Sequence, residues 1–242
     1  MFVIGSPRSG TTFLGESLGA QPGFVDLSEV TPLKAALPAL AGASEEEAAR
    51  RVRQILERVR RLALARRVRA VEQTPEMSFF AAAVLRAYPQ ARAVHIVRDG
   101  RDVVSSLLER GWLKASQAAA DDAGLSYGPH ARFWVEPERA EEFGRASEAT
   151  RAAWAWRRYV TAARSFRERT LEIRYEDLAA DPEGTARVLA AHLGSDPVPL
   201  AEALSLVHGR SVGRWREALS PDQVTDVERE AGPLLRELGY LG

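Results

Sequence analysis

The octapeptide Gly5-Ser6-Pro7-Arg8-Ser9-Gly10-Thr11-Thr12 follows a short apolar run, Phe2-Val3-Ile4, and leads straight into the helical pattern Thr11–Leu18. A glycine-bounded turn between a strand and a helix aims several backbone N–H groups, and the first N–H groups of the helix, at one point. The helix dipole adds positive potential there, so the point is a candidate anion site. Ser9 and Gly10 form the turn itself, Thr11 and Thr12 add hydroxyl donors, and Arg8 adds a planar fork that suits a pair of phosphate or sulfate oxygens.

The spacing matches G-x-x-x-x-G-K-[ST], the nucleotide phosphate loop, except that Thr11 stands where the lysine would be. That lysine reaches the terminal phosphates of a nucleoside triphosphate, so its absence weakens an ordinary NTPase reading. Further apolar runs at Val68–Val71, Ala93–Val97 and Leu171–Tyr175 are short and continuous, as in strands buried on both faces of a parallel sheet. Helical patterns lie between them. Ser44-Glu45-Glu46-Glu47 opens one through about Ala65, Met77–Ala87 and Arg101–Glu109 form two more, and Ser147–Arg169 forms a long one carrying Trp154 and Trp156. Asp181-Pro182 and Gly194 bracket another, and Ser220-Pro221-Asp222-Gln223 starts a last one interrupted at Gly232-Pro233. Alternating strands and helices predict an α/β protein with a P-loop NTPase-like three-layer fold around a central, mainly parallel sheet.

The chain has 242 residues, enough for one domain over 1–242 with a buried core. Residues 115–145 are irregular yet hold Tyr127, Phe133, Trp134 and Phe143, which predicts a structured insertion: a lid over a site, or equally an excursion packed on its own aromatics. With no cysteine, disulfide scaffolds, thiol catalysis and iron–sulfur ligation are excluded. The 33 basic and 33 acidic residues cancel, which argues against a generic nucleic-acid binder. No run reaches the ~18 apolar residues of a membrane span. The first residues read as a strand and not as a charged signal region, so the expected location is cytoplasmic.

A second anion site is predicted where Ala93–Val97 ends. Arg98-Asp99-Gly100-Arg101-Asp102 is the turn after that strand, and ligands of open α/β sheets bind at such carboxyl ends. Val103, Val104, Leu107 and Leu108 define the buried face of the next helix, leaving Ser106 off it to join Arg98 in a clamp separate from the first. Taken alone, an Arg98 paired with Asp99 or Asp102 would be the better reading.

Together, Gly5–Thr12 and Val97–Ser106 resemble the two signature segments of sulfotransferases that use 3'-phosphoadenosine 5'-phosphosulfate (PAPS). The resemblance implies that the first segment holds the 5'-phosphosulfate, and that Arg98 and Ser106, eight residues apart, hold the 3'-phosphate. Leu171–Leu178 resembles the family's late strand and turn, which implies Tyr175 near the adenine. The segment around Arg214-Trp215-Arg216 resembles its C-terminal end, with Ser211 and Arg214 closing over the nucleotide. An arginine in the loop and an acidic residue, Glu29, 21 positions on are most similar to the tyrosylprotein-sulfotransferase branch and its bacterial relatives, in which that Glu is the base. Where relatives carry a lysine before an Asp-Pro or Thr-Pro pair, this chain has Gln73-Thr74-Pro75, which shifts charge neutralisation onto Arg8.

The function so implied moves a sulfonate from PAPS to a hydroxyl and releases adenosine 3',5'-bisphosphate (PAP), with Glu29 and Arg8 catalytic and no metal. The expected acceptor is a small molecule, carbohydrate or lipid ahead of a protein tyrosine, and a homodimer is the one protein assembly expected. A phosphotransferase, or a PAP-binding protein without turnover, are the competing readings. Other readings of Glu29 and its rivals are a helix cap at Ser28-Glu29, Glu72 as an alternative base or strand-end anchor, His95 in the core, His130 lining an acceptor site, and Trp154 or Trp156 flanking a ligand.

Overall fold

The computed structural model describes residues 1–63, 68–113 and 135–242. Strand β1 (Phe2–Ile4) leads through the glycine loop into helix α1 (Thr11–Gly19), followed by β2 (Phe24–Asp26), α2 (Thr31–Ala41), α3 (Glu45–Ala63) and β3 (Arg69–Val71). A 3-10 turn at Pro75–Phe80 precedes α4 (Ala81–Ala87), β4 (Ala93–Val97) and α5 (Gly100–Arg110). Beyond residue 134 come α6 (Ala140–Arg145), α7 (Glu148–Arg164), β5 (Thr170–Arg174), α8 (Tyr175–Ala180), α9 (Pro182–Leu193), α10 (Pro197–Leu204), α11 (Trp215–Ala218) and α12 (Pro221–Glu237).

The class is α/β and every strand pair is parallel, but the strands form two small sheets, β1-β4-β5 and β2-β3. The expected P-loop NTPase-like fold around one central sheet is therefore not what the chain adopts. β2 went unpredicted because three half-buried residues after Gly23 show no usable alternation. β3 was expected in the central sheet, yet it pairs with β2 from Phe24↔Arg69 to Asp26↔Val71 and meets β1 only at the single bridge Phe2↔Glu72. The chain then leaves through Gln73-Thr74-Pro75, and the proline has no N–H with which to extend a ladder.

The parallel register of the larger sheet positions the site. Ile4 pairs with His95, and Val97 pairs with Arg174. The carboxyl ends of β1, β4 and β5 therefore deliver Gly5, Arg98 and Tyr175 to one edge. β4 is buried along its whole length, which explains its continuous apolar run.

Helix α7 packs across β4 and α5 with Trp154, Trp156 and Tyr159 all fully buried. Neither tryptophan flanks an open ligand site. Trp154 donates from Nε1 to Glu136 (2.8 Å), with Phe143 edge-on at 5.6 Å, and Trp156 donates to the Arg98 carbonyl (3.1 Å). Val135 and Phe143, at the end of the expected insertion, belong to this core. Its remaining aromatics Tyr127, Phe133 and Trp134, and His130, lie outside the described residues, as do residues 64 and 65 at the end of the Ser44 helix.

Three helix boundaries differ from expectation. The Met77–Ala87 pattern divides into the 3-10 turn and α4. α7 ends at Arg164, before Arg169 takes a positive φ of 57° at the entry to β5. α12 continues through Gly232-Pro233, because Val227, Ala231 and Leu235 are buried on its packed face and hold both sides of the proline in line. That packing offsets the roughly 3 kcal/mol an interior proline costs.

Gly100, at the start of α5, lies against the Trp156 ring, and a Cβ there would sit 2.8 Å from it. Ala improves a helix by at most ~1 kcal/mol over Gly, whereas overpacking a core costs ~1–3 kcal/mol. Gly100→Ala should therefore lower the Tm by several degrees in thermal unfolding. An unchanged or higher Tm would show that this helix–helix contact is loose.

Candidate functional site

The loop from Gly5 to Gly10 is held in a conformation that few sequences tolerate. A Cβ on Gly5 would lie 2.5 Å from the Ile96 carbonyl oxygen, and one on Gly10 (φ 98°) would lie 2.7 Å from the Tyr175 ring. Arg8 itself has a left-handed φ of 71°. The Gly5 N–H donates to Ser78 Oγ (3.0 Å) and the Ser9 N–H to the Ser6 carbonyl (3.1 Å). Helix α1 opens with Gly10 as its cap, with no side-chain cap and no acidic residue in its first turn. Its leading N–H groups, over the buried Thr11 and exposed Thr12, thus remain aimed at the loop. Ser9 Oγ is buried with no hydrogen-bond partner.

Arg98 faces this loop. Its Nη1 donates to the Arg8 carbonyl (3.1 Å), its Nη2 donates to the Ser211 carbonyl, and its guanidinium lies 4.8 Å from the Tyr175 ring centre. Asp102 Oδ2 is 3.9 Å away, and Arg98 Nε is buried without a partner. The Arg8 side chain reaches the other way, donating from Nε to Ser106 Oγ (3.0 Å) and lying 5.9 Å from the Trp112 ring. The two clamps read as separate in the sequence are thus laced into one: Arg98 holds the loop's main chain, and a loop side chain holds Ser106.

The segment after α10 closes the same corner. Tyr175 Oη donates to the His208 carbonyl (3.1 Å) and lies 2.9 Å from Ser211 Oγ. Asp102 accepts from the N–H groups of Gly213 (2.7 Å) and Trp215 (2.9 Å). Arg214 alone among the expected nucleotide residues turns away, onto Glu109 at the surface (2.6 Å).

The second sheet brings the acidic candidates together. Ser28 has a positive φ of 54°, with its N–H and hydroxyl bonded to Asp26 (2.8 and 3.0 Å). That turn projects Glu29. The cap of α2 is Val30 with no side-chain bond, so Glu29 does not cap the helix; it pairs with Lys34 Nζ at 2.5 Å. Glu72 is buried and accepts from the Thr74 N–H (2.9 Å) and hydroxyl, which makes it an anchor for that turn. Burial pushes its carboxyl up to about 7 against the pull of the Thr74 bonds. Burial likewise raises Glu76, while the Lys34 charge opposes the rise; Tyr159 donates to it at 3.0 Å. Glu76 and Ser78 share the 3-10 turn, so the acidic group and the glycine loop flank one element. Gln73 is buried against Gly15 of α1 and brings no charge. His95 is a core residue, bonded to Glu172 at 3.1 Å.

Lys34, Glu76, Ser78, Asp102 and Trp112 were not singled out as site residues. Asp102 alone had a visible signal, its position four residues after Arg98; the others come together through tertiary packing. Among the described residues no group of side chains could hold a metal ion, and no helix is long and apolar enough to cross a membrane.

A family model described as the sulfotransferase family matches residues 46–199. No curated protein matches the sequence significantly. Similar solved structures include the sulfotransferase domain of the Synechococcus PCC 7002 olefin synthase, at 17% identity and TM-score 0.57 over 95% of this chain and 93% of that one. Sulfotransferase STF9 from Mycobacterium avium is similar at 14% identity and TM-score 0.58, over 98% and 76%. Mouse sulfotransferase SULT7A1, solved with PAP, is similar at 16% identity and TM-score 0.54, over 97% and 84%. These likenesses identify the fold as the sulfotransferase type of α/β fold with small parallel sheets.

A carboxyl that is harder to ionise folded than unfolded contributes stability fully below its unfolded value and loses it as pH rises. For Glu72 that loss runs from about pH 4.5 to about pH 7 and is complete above it. Glu72→Gln should remove this slope, gaining about 3 kcal/mol relative to the parent between pH 4.5 and pH 8. Denaturant unfolding at both pH values measures it; parallel profiles would show that Glu72 ionises freely in the folded chain.

Proposed function

The chain belongs to the sulfotransferase family, and from that premise we propose that it transfers a sulfonate from PAPS to a hydroxyl group, releasing PAP. The observation that carries the proposal is the lacing of Arg98, the Arg8 carbonyl, the Arg8 guanidinium and Ser106 into one cationic corner. Two features of that corner suit a nucleotide with phosphates at both ends. Ser9 Oγ and Arg98 Nε are buried donors without partners. Gly10 lets the loop main chain lie directly against the Tyr175 ring, where any side chain would clash.

The Arg98 donors now rest on two neutral carbonyls. A hydrogen bond to a charged acceptor is worth ~1.5–3 kcal/mol against ~0.5–1.5 for a neutral one, so a phosphate would win them. In this reading Arg98 and Ser106 hold the 3'-phosphate. Ser9, Gly10, Thr11 and Thr12 bind the 5' end with Arg8, Tyr175 lies by the adenine, Ser211 borders the nucleotide, and Arg214 would have to leave Glu109 to join it. PAPS supplies an activated sulfonate whose leaving group is a phosphate.

The chain's contribution is positioning and charge. The Arg8 guanidinium and the loop N–H groups stabilise negative charge on the departing oxygens, where one preorganised donor is typically worth roughly 10²–10³ in rate. Glu29 takes the acceptor hydroxyl proton, a contribution of about 10²–10⁴. The spacing of Arg8 and Glu29 is what supports a place beside the tyrosylprotein-sulfotransferase branch. The acceptor class we favour is a small-molecule, carbohydrate or lipid hydroxyl; among the structural relatives, one is a domain of an olefin synthase.

PAP should raise the Tm more than ATP with magnesium does in a thermal-shift comparison; the reverse order would favour a phosphotransferase. Arg98→Ala should weaken PAP binding by about 10–100-fold or more, about 10–100-fold being the worth of one charged hydrogen bond. Calorimetric titration with PAP checks it, and an unchanged Kd would refute the 3'-phosphate assignment.

A further inference from the structure

Lys34 is one of only two lysines in the 242 residues, the other being Lys114. It stands on the first turns of α2, five residues after Glu29, and its side chain is only 13% exposed although it carries a full charge. A cation so far removed from water needs anionic partners. It has Glu29 at 2.5 Å, and its charge acts on the buried Glu76 carboxyl, which Tyr159 fixes from α7. Glu72, just past the end of β3, also feels the Glu29 charge. Two carboxyls thus act on one ammonium, Glu29 by direct contact and Glu76 through its charge. The whole group touches the glycine loop through the 3-10 turn that carries both Glu76 and Ser78.

Surface helix pairs of this kind contribute little, and they do not recruit a strained turn. Here the left-handed Ser28 sets the direction of Glu29, and Lys34 sets the end point of its carboxylate. Gln73, packed on Gly15 beside them, supplies no charge to the corner.

We infer that Lys34 is the positioning residue of the transfer site: its ammonium fixes the Glu29 carboxylate in place, aimed at the acceptor hydroxyl. The inference rests on Glu29 being the base. In the step concerned, the hydroxyl O–H bond breaks, its proton passes to the Glu29 carboxylate, and the oxygen's electron pair is freed for the sulfur. Lys34 stays protonated throughout. Without it, the Glu29 carboxylate would lose the contact that sets its end point.

The test uses PAPS as donor with a panel of primary and secondary alcohols, in the parent and in K34M, K34R, K34Q and E29Q. K34M, or K34Q if K34M does not fold, should lower kcat on the order of 10-fold. It should leave the acceptor KM and the PAP affinity unchanged. K34R, which keeps the charge, should restore most of the parent kcat. A parental kcat in K34M, or no rescue by K34R, would overturn the inference, whereas undiminished turnover in E29Q would overturn the base assignment on which it rests. A second readout needs no acceptor. Acetic anhydride should modify Lys34 several-fold faster in E29Q than in the parent, with Lys114 as internal reference; equal reactivity would overturn the pairing.

Discussion

The Arg98 guanidinium is where the chain's distant segments are tied together. It leaves the end of β4, is 8% exposed, and donates to a carbonyl in the loop after β1 and to another in the segment after α10. The Tyr175 face lies 4.8 Å beneath it and Asp102 stands 3.9 Å away. A buried cation is costly unless every direction is provided for, and these partners provide for all but Nε. Its own carbonyl is fixed by Trp156, a fully buried side chain of the core behind it. The core therefore sets where the charge sits, and the charge sets how the loop and the later segment approach each other.

That dependence explains what the amino-acid order could and could not disclose. Arg98 and the glycine loop were recognisable because each follows an apolar run, and in a parallel sheet the ends of neighbouring strands share an edge. The pairing Ile4↔His95 then makes their meeting a matter of register. The second sheet was hidden, since Phe24–Asp26 is too short to show a period, and with it went the reason Glu29 sits beside Lys34 and Glu72. The P-loop NTPase-like expectation failed at the same place: β3 turned to β2 instead of joining β1 beyond one bridge. Trp154 and Trp156 were ambiguous for another reason. Adjacent helical positions two apart point in different directions on an isolated helix, but α7 is enclosed on both sides, so both are core.

Backbone strain marks the same two positions that the chemistry does. Among the described residues, three that are not glycine have positive φ: Arg8, Ser28 and Arg169. One is the candidate cation of the loop, one immediately precedes the candidate base, and the third turns the chain into β5. Such conformations cost of order 1–3 kcal/mol each and persist only where surrounding contacts over-determine them. At Arg8 the contacts are the Arg98 bond to its carbonyl and the Ser106 bond to its side chain. At Ser28 they are two bonds to Asp26 and a carbonyl taken by the Gln73 N–H. Both side chains are thus aimed by main-chain geometry before any ligand arrives.

The segment after α10 is held by different means, and the difference matters for how it can move. Asp102 binds the N–H groups of Gly213 and Trp215, and Arg98 binds the carbonyl of Ser211, so the attachment is to main chain and not to side-chain identity. Gly213, with φ 74°, permits the turn that presents its N–H to Asp102. The Asp102 side chain is 1% exposed. Lifting the segment would strand that carboxylate without two charge-assisted bonds worth ~1.5–3 kcal/mol each. Arg98 would lose a neutral acceptor at the same moment, one that an incoming oxyanion more than replaces. The segment is therefore held more firmly at residues 213–215, through Asp102, than at the Ser211 carbonyl, which Arg98 holds as a neutral acceptor.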